Sequence, residues 1–209
     1  MTVESPLSAV QRLPGQPSPD SVPLQSGPGA KQRVLVTADR LFYSEGIRTV
    51  GVDRLIAESS VTKATFYKHF GAKDNLVLDY ITRRFDEVRV ENQALVSSSG
   101  GPTATLRAIV AAIVTRTQAP GFRGCPFINA AAEFSDPNHP VRIVVVQFRD
   151  WYTETLVDLF KEAGHAMPGD AADEFLALRD GAMVGGYAGD PIAATAALTR
   201  AADRLLAAV

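Results

Sequence analysis

The chain contains one cysteine, Cys125, and one tryptophan, Trp151, in 209 residues. A single cysteine excludes an internal disulfide framework and a multi-cysteine zinc site. Histidine is scarce too. His69, His139 and His165 stand far apart, with no Ser/His/Asp or Cys/His set at informative spacing and no phosphate-binding glycine loop. Neither catalytic residues, a metal site nor a cofactor is therefore expected. No apolar run approaches the roughly 18–20 residues of a membrane span. The N-terminus also lacks the basic start and apolar run of a secretion signal, so the expected location is cytoplasmic, with no membrane partner. Net positive charge is missing as well: the total of −2 excludes a uniformly basic nucleic-acid coat.

What charge there is lies unevenly. Between Lys31 and Arg84 ten Lys+Arg stand against six Asp+Glu, a net of +4, which leaves −6 for the rest of the chain. A basic N-terminal third on an otherwise acidic chain predicts an anionic partner for that third alone. Residues 1–29 precede it and are rich in Pro, Ser, Gly and Gln. Six prolines between Pro6 and Pro28 forbid continuous helix, and a disordered arm is expected.

From Lys31 onward the apolar spacing is helical throughout, and the expected class is all-α. Val34, Ala38, Leu41 and Phe42 define one helix, closed by Gly46. A second, short helix is predicted over 52–59 with Gly51 at its cap, and a third over 63–69. A long fourth helix begins near Asp74, whose charge suits a helix N-terminus. The stretch 97–102, Ser-Ser-Ser-Gly-Gly-Pro, reads as a linker. Helices beyond it are marked by Leu106, Ile109 and Ile113, by residues 127–134, by Val141, Val145, Phe148, Tyr152 and Leu156, and by residues 170–186 and 191–207. The β-branched run 143–146 is embedded in that helical spacing. This predicts a helix-turn-helix domain over 30–76, with the motif at about 51–70, and a larger helical domain over 77–209.

Residues 60–70, Ser-Val-Thr-Lys-Ala-Thr-Phe-Tyr-Lys-His-Phe, carry two surfaces. Val61, Phe66 and Phe70 can face a core. Thr62 can cap the helix through its hydroxyl. Lys63 and Thr65, near the helix start, suit base edges in a major groove. Tyr67, Lys68 and Lys73 suit phosphate oxygens, as do Arg48 and the Gly51 amide at the entry to the second helix. His69 fits phosphate contact and a C-terminal cap equally well.

Together, the runs Ala38…Leu41-Phe42…Gly46, Val52 to Phe70 and Lys73-Asp74-Asn75-Leu76 resemble the DNA-binding domain of the TetR family of bacterial transcription regulators. The likeness covers about a quarter of the chain. It departs at Ser60, where the family usually has glycine; a left-handed serine there predicts a mildly strained turn. The resemblance implies a homodimeric repressor that binds double-stranded operator DNA and releases it to a small-molecule effector. The alternative is a helical small-molecule-binding protein or enzyme without operator binding.

For the second domain, polar and aromatic residues on apolar helices mark a candidate effector pocket: Phe127, Asn129, Phe148, Trp151, Tyr152 and Met183. An apolar or aromatic ligand is expected. Cys125 opens a helix at Gly124-Cys125-Pro126; with no adjacent cation or second cysteine it reads as a structural thiol. Glycines within the helix over 170–186 cost about 1 kcal/mol each relative to alanine. That cost suits close helix approach, and a dimer face is expected at Gly181, Ala182, Gly185, Leu198, Ala202 and Leu205.

Overall fold

A computed structural model describes residues 29–208. The arm predicted over 1–29 lies outside the described residues except for Gly29, which caps the first helix. Among the described residues the chain forms nine helices and no strand. They are α1 (Ala30–Glu45), α2 (Val52–Ser59), α3 (Lys63–Phe70), α4 (Lys73–Ser98), α5 (Pro102–Thr117), α6 (Pro126–Glu133), α7 (Pro140–Ala163), α8 (Pro168–Ala188) and α9 (Pro191–Leu206). None is long and apolar enough to cross a membrane.

Helices α1 to α3 close around Val34, Leu41, Leu55 and Phe66, each with no exposed surface. Gly46 ends α1 at φ 95°, and its N–H returns to the Phe42 carbonyl. The turn between α2 and α3 runs through Ser60 at φ 52°, ψ 49°, the single described non-glycine residue with positive φ. The predicted strain is present, at about 1–2 kcal/mol for a left-handed non-glycine residue. Arg33 of α1 secures the turn, its Nε and Nη2 donating to the carbonyls of Ser59 and Ser60 at 3.2 and 3.3 Å.

Two predicted boundaries fall within α4. The domain border at 76/77 falls inside α4, which runs unbroken from Lys73 to Ser98. Ser97 and Ser98 belong to α4, so the predicted linker shrinks to residues 99–101, a bend rather than a spacer between domains. Inside the helix the Ser97 and Ser98 hydroxyls bond back to the carbonyls of Gln93 and Leu95, so neither polar side chain has to leave it.

In the second domain α7 packs on α4, α5, α6 and α8, and α8 lies along α9. Phe148, Leu156 and Phe160 of α7 are fully buried there. The run 143–146 is helical, with only Val145 buried.

Candidate nucleic-acid interface and effector cavity

Helix α3 stands on its buried side and presents the other. Phe66 and Phe70 are 0% and 4% exposed, while Lys63, Tyr67, Lys68 and His69 face outward. Lys63 and Tyr67 share one stripe at i, i+4 spacing. The Thr62 Oγ1 accepts the Thr65 amide at 3.1 Å, so the predicted cap is present. It also sits 2.8 Å from the Thr65 hydroxyl, which places that side chain within the cap. Gly51 caps α2 at an exposed helix start with no side chain over it. Lys73 is half-buried with its ammonium 5.9 Å above the Phe42 ring, and burial lowers its pKa despite the carboxylates of Glu133 and Asp74. His69 is exposed in the last turn of α3 and lies edge-on to Phe70.

Arg48 points elsewhere. Its Nε donates to the Glu133 carbonyl at 2.7 Å and its guanidinium sits 5.8 Å from the Phe134 ring, so it reaches α6. It belongs to a seam between the two domains. The Glu133 carboxylate accepts the amides of Ile47 and Arg48 at 2.8 and 2.6 Å. The Tyr43 hydroxyl donates to the Gly124 carbonyl at 3.0 Å and accepts the Arg123 amide at 2.9 Å. Arg123 Nη1 donates to the Ser44 carbonyl at 2.6 Å. Asp39 of α1 meets Arg84 of α4 at 2.7 Å. Sequence reasoning missed Tyr43 and Arg123 as functional residues. Glu133, a lone acid on an apolar helix, was the one local signal of the seam.

A cavity of about 230 Å³ opens directly behind this seam, between α1, α4, α6 and α8. Tyr43, Gly124, Pro126 and Phe127 form its wall on the seam side. It continues into a cleft of about 40 Å³ walled by Asn92, Ile109 and Tyr152, with Val88, Glu91, Arg116, Arg179 and Met183 common to both parts. Of the residues predicted for the pocket, Phe127, Tyr152 and Met183 line it. Phe148 lies behind Phe127, stacked at 3.7 Å. Trp151 packs against Phe85. Asn129 donates to the Arg123 carbonyl at 2.8 Å and so shapes the loop before α6.

Cys125 requires a correction. The thiol is buried, but a cation does adjoin it: Arg179 Nη2 lies 3.6 Å from Sγ. The two residues are 54 apart in sequence, which is why inspection of the local sequence could not pair them.

The residues expected at a dimer face are divided. Ala182, Leu198, Ala202 and Leu205 are 9% exposed or less, buried within one protomer where α8 and α9 pack. The glycines do serve close approach, but inside the chain. A Cβ on Gly185 would lie 3.2 Å from Ala194 of α9, and one on Gly186 would lie 2.1 Å from Thr117 of α5. Gly181 alone faces open space, on an outer α8 stripe with Ala177, Val184 and Ala188.

Comparison with known proteins agrees with this architecture. Residues 34–80 match the family described as bacterial regulatory proteins, tetR family, and residues 102–200 match the tetracyclin repressor-like C-terminal domain. A TetR-family transcriptional regulator from Streptomyces coelicolor is 39% identical in its crystal structure. The match covers 85% of this chain and 94% of that one, with a TM-score of 0.83. Two Bacillus subtilis HTH-type transcriptional regulators, YxaF and LmrA, are each 23% identical over 58% of this chain. The matched region spans 65% and 66% of those two proteins. A helix-turn-helix with an outward polar face, joined to an all-helical domain that matches the same family, identifies the chain as a member of the TetR family: a DNA-binding transcriptional regulator, not an enzyme.

Proposed function

We propose that this regulator is a homodimeric repressor that a small molecule releases from its operator. The observation that carries the proposal is the shared wall: Tyr43, a residue of the DNA-binding domain, lines the cavity and also bridges Arg123 and Gly124. A ligand pressing on that wall acts on the seam that sets the pose of α1 to α3. If the ligand favours a pose that does not match DNA, occupancy shifts the population away from the operator.

Lys63, Thr65 and Tyr67 are assigned to base edges and adjacent phosphates. Thr62, Lys68, His69, Lys73 and the Gly51 amide are assigned to the backbone. Arg48 is reassigned from DNA to the seam. The dimer face is assigned to the outer stripe of α8, Ala177, Gly181, Val184 and Ala188, with Ile192 of α9, which is 72% exposed. Two copies of α3 would then address half-sites about 34–36 Å apart.

The test is fluorescence anisotropy with duplex DNA from the region flanking the protein's own gene. Binding should weaken steeply as salt rises, as phosphate contacts require. Lys63→Ala with Tyr67→Ala should reduce affinity by at least about tenfold without changing the size of the particle in light scattering. Unchanged affinity would remove α3 from the interface. Val184→Glu should give monomers; a dimer surviving that change would place the interface elsewhere.

A further inference from the structure

We infer that the effector is a small aromatic carboxylate, with Arg179 as the counter-ion that receives its acid group. The inference rests on the proposal that this cavity takes the effector, and it adds a charge to the apolar ligand that the composition alone suggested.

Arg179 is 5% exposed, yet it lines both parts of the cavity. Its guanidinium remains charged at any working pH, so its counter-charge has to be found locally. Nη1 donates to Asp180 Oδ1 at 2.6 Å, but the other oxygen of Asp180 is held by Arg149 at 2.7 Å. One carboxylate thus serves two guanidinium groups. The remaining amine, Nη2, lies 3.6 Å from the Cys125 sulfur, a weak acceptor, and the guanidinium also meets the Tyr152 hydroxyl, so both further partners are uncharged groups. The faces of the group lie against Tyr152 at 5.1 Å and Phe148 at 5.7 Å, which favour a cation without neutralising it.

The other lining charges cancel. Arg116 pairs with Glu91 at 2.5 Å; Arg84 pairs with Asp39 at 2.7 Å, and Glu87, 3.6 Å away, answers Arg83 at 2.9 Å, so two acids stand against two arginines there. Arg179 is therefore the lining cation that lacks a full counter-charge, and it sits deepest, where charge is least screened. A guanidinium fork matches a carboxylate in plane and spacing. Phe127, Met183 and Ile109 supply apolar walls for the ring that carries it. The volume, below the 300 Å³ or so at which drug-sized pockets begin, limits the ligand to one or two rings.

The experiment uses benzoate, benzamide and benzamidine, one planar frame in anionic, neutral and cationic form, titrated into the whole 209-residue chain by calorimetry at fixed ionic strength. Benzoate should bind on the order of tenfold tighter than benzamide, as expected for a charge-assisted pair, and benzamidine should bind weakest. Asp180→Asn, which frees the guanidinium from its carboxylate, should strengthen benzoate binding and leave benzamide unchanged. Arg179→Met should erase the preference while retaining benzamide. If that variant fails to fold, the wild-type series and Asp180→Asn decide the matter alone. Equal binding of all three probes, or benzamide at least as tight as benzoate, overturns the charge assignment while leaving the cavity as a ligand site. Failure of every probe to bind overturns both this inference and the effector cavity itself.

Discussion

The two working surfaces of this molecule are built on opposite terms. On α3 the polar side chains face outward and the apolar ones hold them in place, so binding and stability reside in different residues. In the cavity the polar side chains are enclosed. Arg179 is buried, shares Asp180 with Arg149 and stacks on the aromatic residues that hold α7 in place. There, on the assignment proposed above, one residue would carry both packing and recognition. An outward surface can change what it binds at little cost to the fold. An inward one changes both together.

That contrast can be broken at either end. The largest stability effect should come from Phe66→Ala, which removes a fully buried ring under α3; a loss of about 3–5 kcal/mol is expected, read from denaturant unfolding. Its neighbour Lys63→Ala should move stability by less than about 0.5 kcal/mol while weakening operator binding. If Lys63→Ala unfolds the domain, the separation on α3 is false. In the cavity, Arg179→Met leaves Asp180 with one partner instead of two, and should cost stability and ligand preference together. Preserved stability with lost preference would make the two surfaces alike.

The seam between them comes next. Glu133→Ala removes the charged acceptor of the half-buried Ile47 amide and of the exposed Arg48 amide, and should cost about 1–3 kcal/mol. It should also weaken operator binding although it touches no DNA. Loss of stability without loss of binding would make the seam structural only.

A smaller effect belongs to Ser60→Gly. It relieves a left-handed serine but loosens the unfolded chain, for a net gain of roughly 0.5–1 kcal/mol in thermal unfolding. The smallest effect is a pH dependence. Burial raises the Asp39 pKa above its ordinary 3.8, outweighing the attraction of Arg84. The folded state then binds the proton more readily than the unfolded one. The stability Asp39 contributes is present below 3.8 and is lost as pH rises through its higher folded value. Asp39→Asn should remove that slope; an unchanged slope would assign it to another group.

The same contrast explains what the sequence revealed. Helix α3 was legible because its design is local: the cap is Thr62 to Thr65, the stripe is Lys63 to Tyr67, and the one strained position sits at Ser60. The cavity was legible only in part. Phe127, Tyr152 and Met183 announced themselves by residue type, whereas Tyr43, Gly124 and Arg179 come together from α1, a loop and α8. No spacing rule joins positions so far apart. The glycines of α8 were read as close approach at a dimer face; Gly185 and Gly186 do lie close to other helices, those of Ala194 and Thr117 in the same chain, which sequence alone did not reveal. Arg48, read as a phosphate contact, bonds the Glu133 carbonyl instead in the structure; an exposed arginine near a helix start suits a phosphate and a distant carbonyl equally well.

The seam also bears on how such a chain can diverge. Most of its bonds have a main-chain atom at one end: the carbonyls of Ser44, Gly124 and Glu133 and the amides of Ile47, Arg48 and Arg123. No substitution removes those carbonyls, and only proline removes the amide donors. The side chains the seam relies on are few: Tyr43, Arg48, Arg123 and Glu133, with the Asp39–Arg84 pair beside them. The cavity walls and the outward stripe of α3 are then free to drift independently while the joint between them persists.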